Sequence, residues 1–234
     1  MTRGPIIAID GPAGAGKSTV ARHLAQHFGL LYLETGAMYR AFALKAILGD
    51  YDFDDAPSLE RLAHDTEVIL SPDRAGNRIF LDGEDVTERI RDSDVTQGAS
   101  RVSVHPAIRA WLVDLQRDLG REGGVVMEGR DIGTVVFPDA DVKVFLDASP
   151  EARSLRRYEQ NSSATTTPTA HTNHSTVADA LHQRDERDRN RANSPLRPAP
   201  DAIVIDSTTL TLDQVLTQIE NLVRPLFPKK ETAQ

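Results

Sequence analysis

GPAGAGKS, Gly11 to Ser18, follows the apolar run PIIAID and opens a segment with helical periodicity. No other feature restricts the fold of this chain as tightly. The pattern is G-x-x-x-x-G-K-[ST], which works physically where a buried strand turns abruptly into a helix. Glycines at 11, 14 and 16 let successive backbone N–H groups curl inward around an anion, and the helix N-terminus adds partial positive charge. Lys17 can then reach the outer phosphates of a triphosphate, and the Ser18 hydroxyl can ligate Mg2+. A flexible glycine-rich turn would satisfy the spacing alone. The strand before it and the helix after it argue for a nucleoside triphosphate site.

The rest of the chain repeats the alternation. Pro5–Asp10, Val125–Met127, Val142–Leu146 and Ala202–Ile205 are short, β-rich and without polar alternation, as strands buried on both faces are. Helical spacing marks Lys17–Phe28, Ala37–Leu48, Ile108–Leu119, Pro150–Tyr158 and Leu212–Val223. This predicts an α/β fold, a parallel-sheet P-loop NTPase core with helices on both faces. Two regions break the pattern. Glu67–Val86 holds two alternating runs around SPDRAGN and predicts a small antiparallel β insertion. Asn161–Thr176, rich in Thr, Ser, His and Asn, has too little apolar surface to order itself and predicts a mobile loop or lid tip. His171 and His174 lie three apart in it, but without a third ligand they are not expected to hold a metal.

Charge and length remove whole function classes. With 27 basic and 35 acidic residues the net charge is −8, which argues against a general nucleic-acid or membrane-surface binder. There are no cysteines, hence no disulfide, thiolate metal site or cysteine nucleophile. The N-terminal apolar run is too short for a signal peptide, and nothing approaches the roughly 20 apolar residues of a membrane span, so a cytoplasmic chain is expected. A guanine-reading N-K-x-D is missing, and DRAG at Asp73–Gly76 sits in the expected hairpin turn, away from any γ-phosphate. What remains is a small-molecule kinase. Such an enzyme holds two anions together and excludes water, so it needs arginines converging from several segments and a lid.

Arginine outnumbers lysine 22 to 5 here. Arg40, Arg109 and Arg130 stand out by context, Arg130 most of all, because it directly follows a predicted strand and lies between Gly129 and Gly133. The run RDERDRNR, Arg184 to Arg191, carries seven charges in eight residues. On a helix, Arg184, Arg187, Asp188 and Arg191 share one face, while Asp185 and Arg189 are expected to pair as i, i+4 neighbours on another.

GPAGAGKST, YLETGAMYR, EGRDIGTVVFPDADVKVFLDAS, RDERDRNR and DAIVIDST together resemble the bacterial cytidylate kinase family, from the N-terminal strand to the last helix, interrupted mainly at residues 160–178. The resemblance implies transfer of the ATP γ-phosphoryl group to CMP or dCMP with Mg2+. It also implies a division into a core (about 1–35, 105–157 and 195–234), a monophosphate-binding region carrying the β insertion (36–104) and a mobile helical lid (158–194). It places Gly11, Pro12, Ala13, Gly14, Ala15, Gly16, Lys17, Ser18 and Thr19 on the ATP phosphates, Ser18 being the metal ligand, and Arg156 or Arg157 on adenine. For CMP it implies Thr35, with Arg40, Arg130 and Arg191 on the phosphate, Ser100, Arg109 and Asp131 on cytosine, and Asp188 with Arg184 on the ribose. Lys17, Arg130, Arg184, Arg187 and Arg191 would neutralise transition-state charge. Thr35 stands where the family commonly has Ser, and Ser18 where some members have Gly.

The partners expected are ATP and CMP or dCMP, with no nucleic acid and no membrane, for a monomer. A kinase of UMP, dTMP or shikimate would share the phosphate loop but not the Ser100, Arg109 and Asp131 set. A non-catalytic ATP-binding regulator would bind ATP without releasing ADP.

Overall fold

The computed structural model describes residues 3–73, 76–164 and 174–227. Its centre is β1 (Ile6–Asp10), whose five residues are all buried. The alternation of side chains across a strand sends Ile6 and Ala8 into one core and Ile7 and Ile9 into the other. Each of these isoleucines, fully buried, stabilises the fold by about 1.5–3 kcal/mol. Around β1 run β2 (Leu31–Glu34), β6 (Val125–Gly129), β7 (Val142–Asp147) and β8 (Ile203–Asp206), all parallel, in the order β2-β6-β1-β7-β8. This is the expected parallel sheet, with β2 an added strand.

Helices cover both faces. On the Ile7 and Ile9 side lie α1 (Lys17–Phe28) and α8 (Leu212–Val223). Thr211 and Gln214 start α8 with a reciprocal capping box, which satisfies two otherwise orphaned N–H groups. The opposite core holds α2 (Thr35–Leu48), α4 (Ser93–Val102) and α5 (Pro106–Gly120). Between α2 and α4 come α3 (Ala56–His64) and the expected antiparallel insertion, β3 (Val68–Asp73), β4 (Gly76–Leu81) and β5 (Glu84–Asp85). The insertion is tied to the parallel sheet through Asn77, which donates to the Tyr32 carbonyl at 2.7 Å and accepts from Glu34 N at 2.8 Å.

The last two helices are α6 (Pro150–Ala164) and α7 (His174–Asn190). They correct the loop expected over Asn161–Thr176 at both of its ends, since 161–164 continue α6 and 174–176 begin α7. Neither end is apolar, so propagation from an adjoining packed helix decides them rather than burial. Residues 165–173, with His171, lie outside the described part. Among the described residues no helix is long and apolar enough to cross a membrane.

Candidate active site

Parallel register brings the expected site residues to one edge. Asp10 stands opposite Gly129, so the phosphate loop after β1 and Gly129-Arg130-Asp131 after β6 leave the sheet side by side. The loop can turn there because Gly11 has φ 146° and lies against β7, where an added Cβ would sit 2.0 Å from the Leu146 carbonyl oxygen. Asp10 locks the two segments together. Its Oδ1 accepts from Ile132 N and its Oδ2 from Gly133 N, each at 2.8 Å. Burial pushes this carboxyl up to about 6 against those two hydrogen bonds. The backbone beyond it forms a wide π-type turn, with Val136 N donating to Asp131 O and Phe137 N to Ile132 O.

Lys17 is buried, and its Nζ donates to the Pro12 carbonyl at 2.8 Å. Burial first, then the charges of Arg130 and Arg184, push its ammonium down to about 7, against the pull of Glu128 and Asp10. Glu128 is a site residue that motif spacing did not single out. It is buried at the end of β6, accepts from the Tyr32 hydroxyl at 2.5 Å and is hydrogen-bonded by Ser18. Burial, then the Glu34 charge, hold its carboxyl above the usual range. A charged residue closing the otherwise apolar run VVMEG was the available signal. Thr35 donates through Oγ1 to the Glu128 carbonyl at 2.8 Å, and a Cβ on Gly129 would strike that same Oγ1 at 2.8 Å.

The expected acceptor-side residues converge as a network of paired charges. Arg109 is ion-paired with Asp131, both buried, and its guanidinium lies 5.7 Å over the Tyr39 ring. Arg130 Nε donates to Asp188 Oδ2 at 2.9 Å, and Arg187 Nε to Ser100 Oγ at 3.0 Å. Arg40 holds Glu34 at 2.5 Å, and Arg191 Nε donates to the Ser194 carbonyl. Burial works against the Asp188 carboxylate, but Arg130, Arg184 and Arg191 together hold it below the ordinary range. Burial, then Arg130, push Arg184 down to about 10, which leaves it cationic at neutral pH. Among the described residues Arg40 Nε, Arg109 Nε, Arg184 Nε and Arg191 Nη2 are buried without a hydrogen-bond acceptor. An unmet buried donor costs on the order of 1–3 kcal/mol. Among the described residues Tyr39 Oη, Gln116 Nε2 and Asp185 Oδ1 are likewise buried without a partner.

The two candidate adenine arginines diverge. Arg156 is committed to the end of β8, donating to Ser207 Oγ at 3.0 Å and Ser207 O at 2.6 Å. Arg157 is shifted down by burial and then by Arg40, with Glu34 opposing, so it belongs to the Arg40 and Glu34 side of the site.

On α7 the expected face is observed. Asp188 and Arg191 are buried and Arg184 and Arg187 half-buried, while Arg189 is exposed. The expected Asp185–Arg189 pair is not formed, because Asp185 has another partner. Asp185 turns inward and pairs with Arg153 Nη1 at 2.6 Å. Arg153 is 2% exposed; it donates from Nε to the Ala148 carbonyl at 2.9 Å and from Nη1 to the Ala13 carbonyl at 3.1 Å. One guanidinium therefore ties the phosphate loop, the end of β7 and α7 together. The buried partner outcompetes the exposed one because an ion pair in water is worth so little. Asp185→Ala strands that cation, and we expect it to lower unfolding stability by about 3–5 kcal/mol in urea titrations, against less than about 0.5 for Arg189→Ala.

Comparison with known proteins agrees with this geometry. A family model described as cytidylate kinase matches residues 7–225. A cytidylate kinase of Pelotomaculum thermopropionicum is 52% identical over 220 residues, spanning 94% of this chain and 96% of that protein. One of Solibacter usitatus is 47% identical over 219 residues, spanning 94% and 92%. In a Synechococcus strain, a bifunctional pantoate ligase/cytidylate kinase is 47% identical over 235 residues, which cover 99% of this chain and 42% of that protein.

Proposed function

The chain belongs to the cytidylate kinase family, and on that premise we propose which of its residues carry the reaction. It is a P-loop nucleoside monophosphate kinase that passes the ATP γ-phosphoryl group to CMP or dCMP. The observation that carries the residue assignment is that Arg130 and Arg184 lie close enough to Lys17 to lower its proton affinity, as Arg130 also does that of Arg184.

Gly11 to Thr19 cradle the ATP phosphates. Arg40, Arg130 and Arg191 take the monophosphate, and Ser100, Arg109 and Asp131 read cytosine, whose N4 amino group is a donor beside the N3 and O2 acceptors. Substrate binding then replaces protein pairs already present, Arg187 on Ser100 and Arg109 on Asp131. Asp188, held by Arg130, meets the ribose with Arg184. Arg156 packs on adenine.

Transfer is in line, without a covalent intermediate or an obligatory base, because a monophosphate oxygen is already a competent nucleophile near pH 7. Lys17, Arg130, Arg184, Arg187 and Arg191 position two anions head-on and neutralise the charge that develops. The Ser18 hydroxyl beside the buried Glu128 carboxylate is an all-oxygen set that suits Mg2+. Bound there, Mg2+ would supply neutralisation of the charge on the triphosphate. The protein acts as a monomer.

The face assignment on α7 has a direct test. Arg184→Ala is expected to cut kcat/KM for CMP by about 10²-fold, in the range found for a preorganised charge donor, and Arg189→Ala to leave it unchanged. Equal losses in coupled ADP assays of the two variants would refute the assignment.

A further inference from the structure

α1 and α8 pack side by side, and three of their side chains have no part in phosphoryl transfer. His23 and His27 stand four apart on α1, and so on one face, with ring centroids 5.8 Å apart and ring planes at 21°. Glu220, on α8, meets both of them: its Oε1 lies 2.7 Å from His23 Nε2 and 4.0 Å from His27 Nδ1. One ligand atom from each of the three residues falls within 4.8 Å of the others. We propose that His23, His27 and Glu220 form a binding site for a divalent transition ion of the zinc type, which clasps α1 to α8.

The donor set selects the ion. Two imidazole nitrogens and one carboxylate oxygen suit zinc, nickel, cobalt or copper, whereas magnesium and calcium prefer oxygen ligands throughout. Three protein ligands leave a fourth position for water. Tetrahedral bonds of about 2.0–2.1 Å place ligand atoms roughly 3.3 Å apart. His27 therefore has to swing inward by about an ångström, and its side chain, 43% exposed, has the room. Ligation replaces the His23–Glu220 hydrogen bond, and the neutral imidazole binds through Nε2 as the tautomer that carries its proton on Nδ1. Arg224 Nη2, 3.3 Å from Glu220 Oε2, occupies the other carboxylate oxygen and orients Oε1 toward the histidines.

The site joins elements at opposite ends of the chain, and its α1 half starts in the phosphate loop. The ion is thus placed to stabilise the fold without entering the reaction. Only a state with α1 docked on α8 presents all three ligands, so binding raises the melting temperature with ion concentration.

The test is calorimetric titration of tag-free, chelator-treated protein with Zn2+ alone, because nucleotides chelate the ion. The expected result is one ion per chain, a melting temperature that climbs with Zn2+, and binding at least tenfold weaker in His27→Ala and in Glu220→Gln. Both variants should keep the wild-type kcat for CMP in Mg2+. Wild-type protein that takes up no zinc overturns the proposal. So does uptake that survives both substitutions, which assigns the ion to other residues such as His171 and His174.

Discussion

Arg130→Ala is expected to reduce kcat/KM for CMP on the order of 10²–10³-fold, through a higher KM for CMP and a lower kcat together, with KM for ATP moving far less. Three observations set that size. Arg130 emerges from the carboxyl end of β6 beside the phosphate loop, where ligands bind in open parallel sheets. Its charge is among the largest influences on both Lys17 and Arg184, so it lies close to both. It also orients Asp188, a buried carboxylate held ionised by three arginines, of which the substitution removes the one hydrogen-bonded to it. One change therefore takes away the arginine proposed for the phosphate and loosens the group proposed for the ribose. Steady-state kinetics with each substrate varied separate the two effects, and unchanged constants would remove Arg130 from the site.

Lys17→Met is expected to reduce kcat by on the order of 10³-fold, and its pH signature is more diagnostic than its size. In the free protein burial and neighbouring cations bring Lys17 down to about 7. Below that pH the ammonium is present; as pH rises through it, the side chain loses its proton. Anionic phosphates favour the charged form, so binding ATP raises the affinity of Lys17 for that proton. At pH 8 ATP binding should therefore take up most of one proton, and at pH 6 almost none. Calorimetry in two buffers of different ionisation enthalpy measures the uptake directly. In Lys17→Met the uptake at pH 8 should vanish, and uptake that persists would place the titrating group elsewhere.

How far the sequence foretold this molecule depends on whether the information was local. The phosphate loop, the Gly129-Arg130-Asp131 turn and the arginine face of α7 are set by spacing and by the strands or helices that carry them, and their residues do converge. β2 was not foreseen because LYLE is only four residues long and carries Tyr32 and Glu34, both facing the site. α4 was not foreseen because SDVTQGASRV is rich in weak helix formers. Its formation rests on packing against α2 and on Gly98, where a Cβ would meet the Phe53 ring at 2.7 Å. The Asp185 misassignment has a related cause. Helical periodicity says which residues share a face, but not which buried partner waits across the fold, and Arg153 is a tertiary partner on another helix. Glu128 was missed because it reads as a strand end until Ser18 and Tyr32 are brought to it.

In the proposed site these arginines, Ser100 and Asp131 select a cytidine monophosphate over any other phosphate acceptor. Coupled ADP release with ATP and Mg2+ across CMP, dCMP, UMP, dTMP and shikimate tests it in one experiment. CMP and dCMP should turn over well ahead of the other three. Strong turnover of UMP with none of CMP would contradict it.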